Sequence, residues 1–403
     1  MVLFEDCVSL SGFGEDMNDH SCAQRDSFCW FPHKEDELCY SVSSRNRFWA
    51  LFVLECSSMK RMWFESLCAM LAFLSALTMG GLILLYMGES PAVVYGLLLK
   101  GALGSAEQIN MTLATTAPYL LCGLSLAIAF QAGLFNIGAE GQLFAGAMVG
   151  ALLGRWLEIP FLAPWIVLLV SVGAGALWAW IPAFLKVRFG VHEVINTIML
   201  NYIMFSLCAF LVRQPAIRVN RSVPRTVDVS NHAQMGGLHI FGLQWDVGLL
   251  VGIVLAFVLL HVLRRTGIGF EIRVTGIQPD AAKTAGIDPH KITIWTFMLS
   301  GAIAGLAGGF HVISPQHPHF EMGLSPGWGF WGIALALLAR NHPVGIVFSA
   351  CLFGILETGG GVLDTSLGIP RELIQILEAL IILMVSSRLF VRLLDPERRF
   401  GHV

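Results

Sequence analysis

Leu113 to Gly154 reads LATTAPYLLCGLSLAIAFQAGLFNIGAEGQLFAGAMVGALLG, two apolar runs joined by a short polar segment. A bilayer's hydrocarbon core, about 30 Å thick, takes about 20 apolar residues as a helix, and backbone groups inside it must be paired within the protein. The run Leu113 to Gln131 meets that length, whereas Ala139 to Gly154 falls short of it. The joining segment, GLFNIGAEGQ from Gly133 to Gln142, predicts a broken helix whose glycines let the backbone turn. Polar atoms at membrane depth are costly unless they face a cavity or other protein, which makes Asn136, Glu140 and Gln142 candidates for a solute pathway. A tight cytoplasmic turn in which Glu140 caps the following helix fits the same residues.

Further apolar runs lie near Leu67 to Met87, Ala163 to Lys186, Val194 to Val212, Trp245 to Leu263, Ile292 to Val312, Pro326 to Ala339, Pro343 to Glu357 and Leu373 to Phe390. They predict an all-α integral membrane protein, a polytopic bundle of about ten transmembrane helices with some short or broken segments. The composition agrees: of 403 residues 55% are hydrophobic and 13% charged, with a mean hydropathy of +0.69, too little polar surface for a soluble domain. Membrane lipid is therefore the surrounding partner. A net charge of −3 with basic residues in the loops leaves no basic stripe and excludes nucleic-acid binding. The 9 cysteines occur singly without a CxxC pair, so no metal or redox site is expected.

Placing both termini in the cytoplasm collects Lys186, Arg188, Arg264, Arg265, Arg273, Lys283, Lys291 and Arg340 on the inner side, as the positive-inside rule favours. Arg213, Arg218, Arg221 and Arg225 crowd the longest external loop, but a long loop is translocated despite its charge. Residues 1–58 form an acidic mixture without helical period or secretory signal, expected to be disordered or a non-native extension, with the transmembrane domain at 59–403. Met59 or Met62 would serve as a start. Gly146, Gly150 and Gly154, and Gly301 and Gly305, recur at the four-residue spacing of helix packing seams.

Two more segments carry chemistry. Glu271 to Lys291, EIRVTGIQPDAAKTAGIDPHK, is the longest internal loop in this topology and predicts a short surface helix. Pro279 suits its first position, Asp280 the positive dipole end, Ala281, Ala282 and Ala285 its body, and Gly286 a left-handed close. Such a helix is shaped to dock in a partner's groove, although a plain connector is the alternative. In RFGVHEVINTIMLNYI, Arg188 to Ile203, the amides of Asn196 and Asn201 can share a helix face with Thr197, and Tyr202 adds a phenol. These groups suit a neutral polar solute or, equally, interhelical hydrogen bonds. His311, His317 and His319 surround two prolines in an external loop, without the carboxylate or thiolate company of a metal site. No phosphate-binding loop or hydrolase motif is present, so energy must come from a partner or an ion gradient.

GLSLAIAFQAGLFNIGAEGQLFAGA, RFGVHEVINTIMLNY, RVTGIQPDAAKTAGI and GFWGIALALLARNHPVGIVFSACLFG resemble, in order and spacing, the permeases of the branched-chain amino acid and simple-sugar ABC importer family. NIGAEGQ and GVHEVINTIMLNY are most similar to its nucleoside-type members, and the resemblance covers about Leu67 to Leu394. It implies a permease that pairs with a second permease, two cytoplasmic ATPase subunits binding ATP and magnesium, and an extracytoplasmic solute-binding lipoprotein. This chain would itself hold no cofactor and would not be an enzyme. Location in the cytoplasmic membrane and alternating access follow from the same resemblance, and Arg273 to Ile287, including Gly276, matches the family's ATPase-contacting loop. Simple sugars and branched-chain amino acids are alternative substrates. An ion-coupled transporter using Glu140 or Glu378 as proton carrier is an alternative of another class, though no convincing inverted repeat supports it.

Overall fold

The computed structural model describes residues 70–217, 219, 224–240, 242–369 and 371–386. The extension 1–58, the candidate starts Met59 and Met62, Arg218 and Arg221, and the ends of the first and last predicted spans at Leu67 and Phe390 lie outside the described residues. The described helices are α1 Met70–Tyr86, α2 Pro91–Leu103, α3 Ala106–Gln131, α4 Ala139–Gly154, α5 Ala163–Phe189, α6 Glu193–Val212 and α7 Val247–Arg265. They continue with α8 Gly267–Ile277, α9 Pro279–Thr284, α10 Pro289–Ile313, α11 Trp328–Leu338, α12 Pro343–Leu367 and α13 Arg371–Ser386.

Six of these, α3, α5, α6, α7, α10 and α12, are long and apolar enough to cross a membrane singly. The protein is thus a multi-pass helical bundle with short and broken segments. α3 and α10 are 78% and 72% buried along their apolar windows and form its centre, while α6 and α7, at 33%, lie at its edge. Large apolar side chains on the outside, among them Leu169, Leu177, Val254 and Phe348, present the lipid-facing surface.

Helix ends follow local chemistry. Ser105 accepts from Gln108 N–H to start α3, and Asp246 from Leu249 N–H to start α7. Gly190 and Gly368, each at φ 67°, close α5 and α12 left-handed. The expected glycine seams are real. A Cβ on Gly305 would lie 2.9 Å from the Gly175 Cα, and one on Gly308 2.8 Å from the Ala147 backbone nitrogen, so only glycine lets α5 and α4 approach α10 this closely. Ser171 adds a hydroxyl donated to the Gly146 carbonyl at 2.9 Å.

Three features depart from the sequence-based expectation. α2 was not counted, because its 13 residues are too short for a lone span; it folds back on α1 at 116°. Residues expected to lie in one internal loop instead form two helices, α8 and α9, with Arg273 and Gly276 inside the first. The loop before α7 contains a small antiparallel hairpin, β1 Leu238–Ile240 with β2 Leu243–Trp245.

Candidate translocation site

α10 has 25 residues and so runs about 37 Å, the full depth of a bilayer. Ser300, near its middle, marks mid-membrane depth, where Asn136 donates to the Ser300 hydroxyl at 2.8 Å. Asn136 and Gln142 exchange amide hydrogen bonds at 2.9 and 3.0 Å, the Asn136 carbonyl oxygen also accepts from Gly138 N–H, and Ser125 donates to the Ser300 carbonyl. The chain therefore leaves α3, turns through Gly133 at φ 69°, and folds back to start α4 near the level of Ser300. Both readings of this segment keep a counterpart here: the chain breaks between α3 and α4, and Glu140 lies in the first turn of α4.

α11 starts at the same level. The Glu140 carboxylate accepts from the Gly329 N–H in the first turn of α11 at 2.5 Å and from the Ser325 hydroxyl, which itself accepts from Trp328 N–H at 2.9 Å. Glu140 also sits in the first turn of its own helix. Two half-length helices thus meet by their N-termini at mid-depth, and their positive dipole ends converge on one buried carboxylate. The helix capped by Glu140 across space begins far away in sequence.

Asn201 completes the brace. Its carbonyl oxygen accepts from Gly141 N–H and its amide donates to the Ile137 carbonyl, both at 2.9 Å. Asn196 donates to the Pro182 carbonyl at 3.2 Å, and Thr197 bonds back to the Glu193 carbonyl. Asn136, Glu140, Gln142, Asn196 and Asn201 are thus all buried and all partnered, whereas Tyr202, one residue round the helix, is 63% exposed on the other face of α6 and does not join them. Glu378, in α13, is fully buried, and neither of its oxygens has a partner.

Pro279 opens α9, Gly286 at φ 83° ends it, and Pro279, Asp280, Ala281 and Ala285 are exposed. Ala282 departs from the expected docking set: it is fully buried, because one side of this two-turn helix must pack on α8 and α10. Ile277, missed by the sequence reading, is 84% exposed between the two helices. Gly276 meets the end of α3 backbone to backbone; a Cβ there would lie 2.7 Å from the Ala132 carbonyl carbon, and one on Gly133 2.9 Å from the Gly276 oxygen. No side chain separates the surface helices from the mid-membrane break.

At the C-terminal end of α10, a cavity of about 100 Å³ is lined by Asp246, His311, Gln316, His317 and Trp328 with small residues of α3. His311 belongs to the last turn of α10 and not to a loop, correcting the sequence placement. Its ring stacks on that of His317 at 5.1 Å and meets the Trp328 ring edge-on at 5.0 Å. His319 lies apart, 3.4 Å from Asp228. Burial, with the Arg225 charge, lowers its pKa, which weakens this contact as an ion pair. Among the described residues no group of three or more metal-ligating side chains is present.

Residues 108–386 match the family described as the branched-chain amino acid transport system / permease component. The chain belongs to this family. The permease is 33% identical to a nucleoside ABC transporter permease protein of Lactococcus lactis over 83% of this chain and 94% of that one. It is 34% identical to a guanosine ABC transporter permease protein of Bacillus subtilis over 81% and 94%, and 33% identical to a glucose ABC transporter permease protein of Haloferax volcanii over 82% and 90%. No solved structure matches it. The permease is therefore the membrane-embedded transport component of an ABC importer, working with ATP-binding and solute-binding partners, and is not itself an enzyme.

Proposed function

We propose that this permease carries nucleosides into the cell, paired with a second permease subunit, with both termini in the cytoplasm and a lipoprotein delivering solute from outside. The observation that carries the substrate is the identity of 33–34% to nucleoside and guanosine permeases over more than four fifths of the chain. Coupling is assigned to α8 and α9. The exposed Ile277, Pro279, Ala281 and Ala285, interleaved with exposed Gln278, Asp280, Lys283 and Thr284, form a small mixed surface for an ATP-binding partner, which holds the nucleotide and magnesium. Movement of this surface is passed through the Gly133 and Gly276 main chains to the break before α4, and α4 then shifts against α11. Asn136, Gln142, Asn196 and Asn201 hold the moving parts in shape; in this conformation they do not line an open path.

The test is ATP-dependent uptake of labelled guanosine with and without this subunit, against sugar and amino-acid competitors. Loss with the subunit, competed by nucleosides alone, supports the reading. The glucose permease relative supplies a second reading, and competition by hexoses would select it. For coupling, Ile277→Asp is expected to leave the amount of permease in the membrane unchanged while cutting uptake at least tenfold; unchanged uptake would remove α8 and α9 from the coupling role.

A further inference from the structure

The cavity at the end of α10 combines open volume with one of the buried side-chain groups that lack a partner. The indole N–H of Trp328 has no hydrogen-bond partner although the residue is only 6% exposed. A buried donor without an acceptor is disfavoured, and an unexplained one marks a place for a missing partner. The stacked imidazoles of His311 and His317 are too close at 5.1 Å to admit a third ring, so with Trp328 they make an aromatic wall, not a slot. Facing it is Asp246, whose carboxylate has about four acceptor sites and uses only those taken by the N–H groups of Leu249 and Gly248.

The space is of the right scale. A second cavity of about 90 Å³ adjoins this one, and the two share Ala114, Asp246, Ser314 and Gln316. For comparison, a cavity of about 150 Å³ accommodates a benzene ring. No lysine or arginine lines either cavity, and Asp246 lines both, which disfavours a phosphate or carboxylate group. A sugar ring could set its C–H face on the wall, and the ribose competition below tests for it. A planar, neutral heterocycle satisfies each feature: its face stacks on the wall, its carbonyl oxygen accepts from the Trp328 indole, and its N–H edge donates to Asp246.

Resting on the nucleoside reading above, we propose that this cavity is a nucleobase subsite, where the base and not the ribose is held on its way to the junction of α4 and α11. His317 supplies stacking, Trp328 lends its indole N–H at the edge, and Asp246 selects bases with an N–H edge of the guanine type.

The probe is 8-azidoguanosine, photo-crosslinked to the assembled importer. Label is expected within 307–328, displaced by guanosine and by free guanine but not by ribose. His317→Ala is expected to reduce it about fivefold to tenfold, the loss of one aromatic contact. Asp246→Asn keeps an acceptor oxygen for the start of α7, so it tests the charge without unseating the helix, and a similar reduction is expected. Label elsewhere, displacement by ribose as effective as by guanine, or undiminished label in both variants overturns the subsite. Guanosine uptake by the unmodified importer, measured in parallel, separates the failures: uptake without this label overturns the subsite alone, and no uptake overturns the nucleoside reading with it.

Discussion

Two groups of polar side chains lie one above the other along α10, and they are built in opposite ways. The mid-helix group, Asn136, Glu140, Gln142, Asn201 and Ser300, has its donors and acceptors matched within the protein. The group at the helix end, Asp246, His311, His317 and Trp328, surrounds empty volume and leaves an indole N–H without a partner. Polarity in a membrane protein thus does not by itself mark a binding surface. Matched polar groups specify shape, and unmatched ones specify what has yet to arrive.

The contrast is sharpest where a charge is involved. Glu140→Ala would leave the Gly329 N–H and the Ser325 hydroxyl without their acceptor between two helix N-termini; a loss of about 3–5 kcal/mol is expected, two buried hydrogen bonds to a carboxyl at about 1.5–3 kcal/mol each. Thermal unfolding of detergent-solubilised permease checks it, and near-wild-type stability would mean the carboxylate is not the brace. Asn201→Ala removes two hydrogen bonds and is expected to cost about 2–3 kcal/mol by the same measurement. At the small end stands Trp328→Phe, which keeps an aromatic ring and removes an N–H that has no partner. Its stability is expected to stay within about 0.5 kcal/mol of the original or to rise slightly. If Trp328→Phe destabilised as much as Asn201→Ala, the distinction between the two groups would collapse.

How much of this was readable beforehand depends on the range of the signal. The break at NIGAEGQ is a local pattern, glycines and amides between two apolar runs, and the sequence placed it to within a residue of the start of α4. The caps of α9 were likewise local, since Pro279 and Gly286 act on their own backbone. What Glu140 caps was not legible, because its partner Gly329 is brought near only by the tertiary fold. Ala282 was misplaced for another reason: alanines, lysine and threonine along two turns give no apolar stripe from which an inner face can be read. The cavity at the end of α10 was hidden by its distribution. Asp246, His311, His317 and Trp328 come from the start of α7, the end of α10, the following loop and the start of α11, and only packing makes them neighbours. The one available hint was an Asp, two His and a Trp, all at the same end of their apolar runs.

The convergence of α4 and α11 on Glu140 also bears on what the membrane loses when the importer is idle. A pathway lined with amides and interrupted at mid-depth is where ions would leak, yet here the two half-helices close against each other with a carboxylate between them and an indole directly above. The seal is electrostatic as well as steric: parting the helices strands a charge in a medium that cannot hydrate it. Any movement that separates α4 from α11 must therefore supply Glu140 with new donors as the old ones withdraw.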